Sequence, residues 1–555
     1  MTTAHQARHT HPGTGLSTSA DDRPVPLARQ RLARWHDDDR VVGWVATAAV
    51  TLLAGFLRLQ TLGRPKAFLF DETYYAKDAW SLWEHGYVTN YVEDANEKIL
   101  RGDLSGLFQD SPSMVVHPEV GKWLIGLGEH FFGMDPFGWR IASAVVGTLM
   151  VAVLVRLARR LTGSTLLGCV AGLLLCFDGM HFVLSRLALL DIFLAFFLLC
   201  AVSCLVADRD WGRARMARLA PLERRTTAAD WGPVRGLRWR PWRLAAGICF
   251  GLALGTKWNA LYVIATFGLL VWMWDAGARR SIGVRHSRMR SLLVDALPAF
   301  GYLVGVALVV YVLTWTGWLL HADVYEKSLS DTQYGPYWGG YLESDARGFL
   351  PELLQSLRSL WHYHHDVYSF HTTFLDDATH AYQSKPQGWL ILNRPVGVQA
   401  DLGINPGVQG CTAPADSTCL RQTLILGTPA LWWGGVLALV YAVYAWAARR
   451  DWRFGVAVVG VLASWLPWVA NDDRPIFSYY AIAIIPFTVL AIVLCLGSAM
   501  GGPRASHQRR MCGTAVAGTF VVLVVLNFAW FWPIYTGGLI TTPDWLDRVW
   551  FKRWI

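Results

Sequence analysis

Apolar runs broken by short basic loops dominate the chain, falling near 42–62, 137–156, 164–181, 187–206, 242–256, 259–275, 296–318, 424–446, 454–470, 477–498 and 512–532. Stretches such as "LLGCVAGLLLCF" and "GTAVAGTFVVLVVLNFAWFW" are nearly free of charge, as helices crossing a bilayer core must be. A twelfth candidate, "VGKWLIGLGEHFFGM" at 120–134, is short and carries Lys122, Glu129 and His130. Loop charge decides its status, because Lys and Arg accumulate in loops that stay on the cytoplasmic side. If 120–134 does not cross, "RLARR" (156–160), the segment 208–243, "ARRSIGVRHSRMR" (278–290), "RRDWR" (449–453) and "RASHQRR" (504–510) all share the side of the basic N-terminus. If it crosses, every later basic loop is flipped outside. The pattern therefore predicts an all-α polytopic membrane protein with about eleven transmembrane helices. Its N-terminus lies inside and its C-terminus outside, with 120–134 along the outer surface as an amphipathic helix. Two large outer segments remain, 63–136 and 319–423. The polar stretch 1–40 is predicted to be a disordered cytoplasmic tail. It is too long and charged for a cleavable signal, leaving the first span as a signal anchor.

Composition strengthens this picture. Only 16% of the 555 residues are charged, well below the quarter usual in soluble domains. The 29 Trp, many near span ends, fit interfacial aromatic belts. A net charge of +9 does not point to nucleic acid, because the arginines sit in short loops where they report orientation. Seven of nine Cys lie in or beside spans; Cys411 and Cys419, in "CTAPADSTC", fall in an outer loop where an oxidising exterior favours a local disulfide. No internal repeat or pair of broken helices stands out, which weakens a flippase or transporter reading.

With this topology, ionisable residues from distant stretches converge on the outer membrane boundary: Asp71 and Glu72 in "FLFDETYY", His117, Asp178, Arg186, Asp191, Lys257 and Arg474. Charges at such depth are costly and default to functional hypotheses. Asp71 and Glu72 diverge by about 100° on a helix, so both do not readily address one atom. Asp71 reads either as a helix N-cap or as a base taking a proton from a hydroxyl. Arg186, Lys257 and Arg474 suit a phosphate, with snorkelling towards the interface as the alternative for each. Asp191 reads as a polar link in the bundle or as a substrate contact. The run "SLWHYHHDVYSFHTTF" (359–374) has loose ligand spacing and interleaved aromatics, which favour an interfacial helix over a metal site. No P-loop or dinucleotide fingerprint is present.

In order along the chain, "FDETYYAKDAW", "VVHPEVGKWLIGLGEHFFG", "FGWRIASAVVG", "SRLALLD", "TKWN", "SLWHYHHDVYSFH", "SKPQGWLILNRPVG", "LILGTPALWW" and "WLPWVANDDRPIFSYYAIAIIPF" resemble the protein O-mannosyltransferases, and most closely their actinobacterial members. The resemblance runs from about residue 42 to the end. It implies a GT-C glycosyltransferase fold in a bacterial plasma membrane, with Asp71 as catalytic base and Glu72 beside it. Donor-phosphate contacts would come from Arg186, Lys257, Arg474, His117 and Lys122, with Asp178 and Asp191 as polar support. The implied reaction moves mannose, with inversion, from polyprenyl-phosphate-mannose to Ser or Thr of proteins emerging from the translocation machinery. A GT-C enzyme acting on another sugar or acceptor is the alternative. No cofactor is implied, no metal site is assigned, and metal dependence and dimerisation stay open. The chain departs from the family pattern at Tyr74 and at Glu119, where His and Pro are usual.

Overall fold

A computed structural model of the chain describes residues 39–114, 116–219, 231–330, 348–375, 378–502 and 505–555. The predicted disordered tail lies outside the described residues, apart from its last two positions. Every one of the predicted apolar runs coincides with a helix. Eight are long and apolar enough to cross a membrane: Arg40–Leu59, Pro136–Thr162, Leu190–Leu219, Ala260–Ser281, Ser287–Leu313, Pro429–Ala447, Trp452–Val469 and His507–Thr536. Thr165–Cys176, Pro241–Leu254 and Ile485–Met500 are shorter apolar helices.

Local chemistry sets several boundaries. Asp135 caps the helix Pro136–Thr162 by accepting from the Phe137 and Gly138 amides, Pro136 occupies the first turn, and Gly163 ends it in the left-handed region at φ 68°. Helix Leu190–Leu219 lies in the middle of the bundle, whereas Arg40–Leu59 and Ser287–Leu313 turn residues such as Leu52 and Leu308 outwards, as lipid-facing helices do.

The segment 120–134 contains a helix, Val120–Phe132, but its amphipathy is inverted relative to a soluble helix. Lys122 and Glu129 face inwards, while Leu127, Phe131 and Phe132 are exposed. Gly126 and Gly128 permit this packing, since a Cβ would stand 2.8 Å from the Ala79 carbonyl at the first and 2.5 Å from that of Gly138 at the second. The inward Lys122 is satisfied by Asp78 at 3.0 Å, and Asp78 also accepts from the Tyr91 hydroxyl.

The outer segments are not purely helical. Thr89–Tyr91 pairs antiparallel with Phe108–Pro112, and Val396–Ile404, Cys419–Ile425 and Ile540–Thr541 form a three-stranded antiparallel sheet. These strands are two to nine residues long, too short for alternation to stand out in the sequence. A disulfide joins Cys411 to Cys419 beside the larger sheet.

Candidate active site

Helix Glu72–His85 starts immediately after Asp71, whose backbone carbonyl accepts from the Tyr74 and Tyr75 amides. The Asp71 side chain makes no capping bond, so the N-cap reading does not describe it. It faces Lys257, Asp191 and the Tyr479 hydroxyl. Burial pushes its carboxyl up to about 6; Asp191 adds to the rise, while Lys257 and a hydrogen bond from Tyr479 oppose it. Just before it, Phe70 adopts φ 52°, unusual for a bulky residue, with its ring edge-on to Phe477 and Tyr479. Backbone outliers of this kind gather at functional sites.

Glu72 points elsewhere. Its carboxylate is fully buried and takes two bonds from Arg140, at 2.8 and 2.7 Å, and one each from the Leu69 and Ala188 amides. Four donors occupy it, leaving no oxygen lone pair free for a catalytic contact beside Asp71. Glu72 is a fastener that ties the Asp71 turn to helix Pro136–Thr162 and to the segment before Leu190.

Lys257 and Arg474 differ in how they are held. Lys257 Nζ is paired with Asp191 at 2.8 Å and lies 4.9 Å from the Tyr480 ring centre. This makes Asp191 the polar link across the bundle, and the lysine does not snorkel. Arg474 Nη1 instead bonds to His371 Nδ1 at 2.7 Å, and His371 Nε2 donates to the Val116 carbonyl at 3.2 Å. The carbonyl can only accept and the guanidinium only donate, so His371 is the neutral Nε2–H tautomer. Burial and Arg474 push its pKa down to about 4, in agreement. His117 stacks on His371 at 5.6 Å and is likewise held neutral by burial and the surrounding cations. Among the described residues Arg474 pairs with no carboxylate, so its charge is available to an anion.

Two expected phosphate residues, Arg186 and Lys122, are placed differently, and Asp178 is a polar brace. Arg186 donates to the carbonyls of Arg58 and Gln60, at 2.8 and 2.6 Å, and reaches Thr61. It caps the open carbonyl end of the first span, where helices attract cations, rather than joining Asp71. Lys122 is spent on Asp78. Asp178 caps helix Gly179–Leu184 through the His181 amide and accepts from Trp432 Nε1 at 2.8 Å, bracing two helical layers away from the cluster. Tyr74 is 61% exposed. Glu119 is buried, and burial pushes its carboxyl up to about 7, opposed by Lys122 and by a bond from Trp123. Sequence reasoning did not single out Tyr479, His371 or Arg140, although all three lie in quoted stretches, "WLPWVANDDRPIFSYYAIAIIPF", "SLWHYHHDVYSFHTTF" and "FGWRIASAVVG".

No group of three or more His, Cys, Asp or Glu suited to a metal occurs among the described residues. The arrangement offers a partly buried carboxylate of raised pKa, a lysine paired with a carboxylate, an arginine bonded to a neutral histidine, and tyrosine hydroxyls. It can accept a proton while holding an anion nearby.

Residues 48–321 match the family described as dolichyl-phosphate-mannose-protein mannosyltransferase, and 356–554 match the C-terminal four TMM region of protein-O-mannosyltransferase. A polyprenol-phosphate-mannose–protein mannosyltransferase of Mycolicibacterium smegmatis (strain MKD8) is 38% identical over 524 residues, covering 93% of this chain and 94% of the relative. Its counterpart from Corynebacterium glutamicum is 33% identical, covering 92% and 93%. The solved S. cerevisiae protein O-mannosyltransferase Pmt1-Pmt2 complex, bound to the sugar donor, superposes with a TM-score of 0.63 at 14% identity over 92% of each chain, which shows a shared fold.

Proposed function

The chain belongs to the dolichyl-phosphate-mannose-protein mannosyltransferase family, and from that premise we propose that it transfers mannose from polyprenyl-phosphate-mannose to Ser or Thr hydroxyls using the Asp71 cluster. The fold is that of the GT-C enzymes and the protein is a multi-pass membrane mannosyltransferase. Asp71 removes the hydroxyl proton as the oxygen attacks the anomeric carbon. The bond from that carbon to the phosphate oxygen breaks, and the lipid phosphate leaves with an added negative charge. Arg474, aimed by His371, and Lys257, shared with Asp191, receive that charge. A single displacement inverts the configuration, so a β-linked donor yields an α-mannoside.

The observation that carries this reading is the contrast between adjacent acids. The Asp71 carboxylate has no salt bridge of its own among the described residues and lies beside Lys257 and the Tyr479 hydroxyl, whereas Glu72 is consumed by Arg140. The excess of basic residues in the loops at the opposite ends supports a cytoplasmic side there, with transfer at the outer face of the plasma membrane; the acceptors in this reading are proteins delivered by the translocation machinery. The test is mannose transfer to a Ser/Thr/Pro-rich peptide by the purified full chain. Asp71→Asn should lower the rate by about 10²–10⁴. Arg474→Gln should lower it while leaving Tm near wild type. Near-normal transfer by Asp71→Asn would remove the base from this account.

A further inference from the structure

A second charged region lies at the far end of the bundle. Helix Leu190–Leu219 carries Asp191 in its first turn and Arg209 eighteen positions later, which at 1.5 Å per residue is about 27 Å away. That is close to the thickness of a bilayer core. Around Arg209 opens a cavity of about 1200 Å³ lined by eight arginines, contributed by four separate stretches of chain that include Arg159, Arg209, Arg449 and Arg509. Three carboxylates are bonded to members of the set: Asp39 to Arg159, Asp210 to Arg160 and Asp451 to Arg453. Among the described residues, eight guanidiniums line the cavity against these three carboxylates, with Asp210 shared between Arg160 and Arg209 (3.7 Å), an excess of positive charge. Among the described residues, the side chains of Arg449 and Arg509 bond to neutral oxygens, the Tyr441 hydroxyl and the Ser498 carbonyl. Arg209 lies 3.4 Å over the Trp452 ring, and its buried Nε has no hydrogen-bond partner among the described residues.

Topology alone explains basic loops but not their convergence on one hollow. We propose that this cavity binds the head group of an anionic phospholipid from the adjacent leaflet. Its walls favour a lipid over a soluble anion, because Leu161, Leu167, Leu494 and Met500 line it beside the arginines. A free phosphate has no use for an apolar wall, whereas the glycerol and first methylenes of a phospholipid do. Arginine forks suit the phosphodiester.

The test uses the delipidated full chain and native mass spectrometry with phosphatidylglycerol or phosphatidylcholine. Wild type should retain one phosphatidylglycerol at least tenfold more readily than phosphatidylcholine. Arg449→Gln combined with Arg509→Gln should abolish that preference. Arg285→Gln with Arg288→Gln removes two exposed charges from a basic loop outside the cavity lining and should keep it. Equal retention of the two lipids by wild type, or equal loss with both pairs of substitutions, would overturn the proposal. Displacement of phosphatidylglycerol by millimolar inorganic phosphate would assign the cavity to a soluble anion instead.

Discussion

At the end of the bundle that holds Asp71, charged groups are few, and several are held one to one by an opposite charge. Lys257 answers Asp191, Arg140 answers Glu72 and Lys122 answers Asp78, whereas Asp71, Glu119, Glu129 and Arg474 have no salt-bridge partner of their own among the described residues. At the other end, arginines outnumber the acids around an open cavity. Both ends look similar in a composition plot, as polar residues flanking spans. The difference lies in pairing. One-to-one pairing in a dry setting fixes geometry and leaves single groups perturbed for chemistry, whereas unbalanced excess holds a mobile anion.

The largest effect that would sharpen this contrast comes from cutting a pair. Glu72→Gln leaves Arg140 buried without its carboxylate, which should cost about 3–5 kcal/mol of stability. Arg449→Gln, at the unbalanced end, should cost no more than about 0.5 kcal/mol, because Arg449 is exposed and bonds only to a tyrosine hydroxyl. Thermal unfolding of both variants in one detergent decides it. Equal losses would mean that pairing does not distinguish the ends.

Next in size is the pH response. With its carboxyl pushed up to about 6, Asp71 ionises as pH rises through that value, and only the ionised form accepts a proton. Transfer should therefore fall about tenfold between pH 7 and pH 5. Phosphatidylglycerol retention should not follow, because arginine stays charged throughout this range. A flat transfer profile would detach the chemistry from Asp71, and a parallel fall in lipid retention would place a titrating group in the arginine cavity.

The spans were legible because apolar length is a one-dimensional property, and 120–134 stood apart from them by its Lys122, Glu129 and His130. Pairing is not one-dimensional. Glu72 sits next to Asp71 in sequence, yet a turn of about 100° sends it to Arg140, sixty-eight positions away. Arg186 carried the right chemistry for phosphate, but the carbonyls ending the first span claim it. His371 was visible only as one of a His-rich run. Its role as a neutral prop for Arg474 depends on a carbonyl from another outer segment. The inward Lys122 and Glu129 inverted a helix whose polar face a sequence reading turns to water.

The smallest effect concerns Glu119, a departure from the family pattern lying at the paired end without a full set of partners. Trp123 donates to one carboxyl oxygen, and the other has no hydrogen-bond partner among the described residues. Burial pushes its folded pKa up to about 7, above the 4.5 of an ordinary glutamate, so the fold favours the protonated form. That stabilisation is fully present below pH 4.5 and is lost as pH rises through 7. Glu119→Gln cannot ionise, so its Tm should decline less than wild type between pH 6 and pH 8.5, a difference on the order of 1 kcal/mol. The same substitution tests whether the paired end tolerates one uncompensated acid: if the two Tm curves stay parallel, Glu119 has a counter-charge in the folded protein, and the outer end is more completely paired than its described contacts account for.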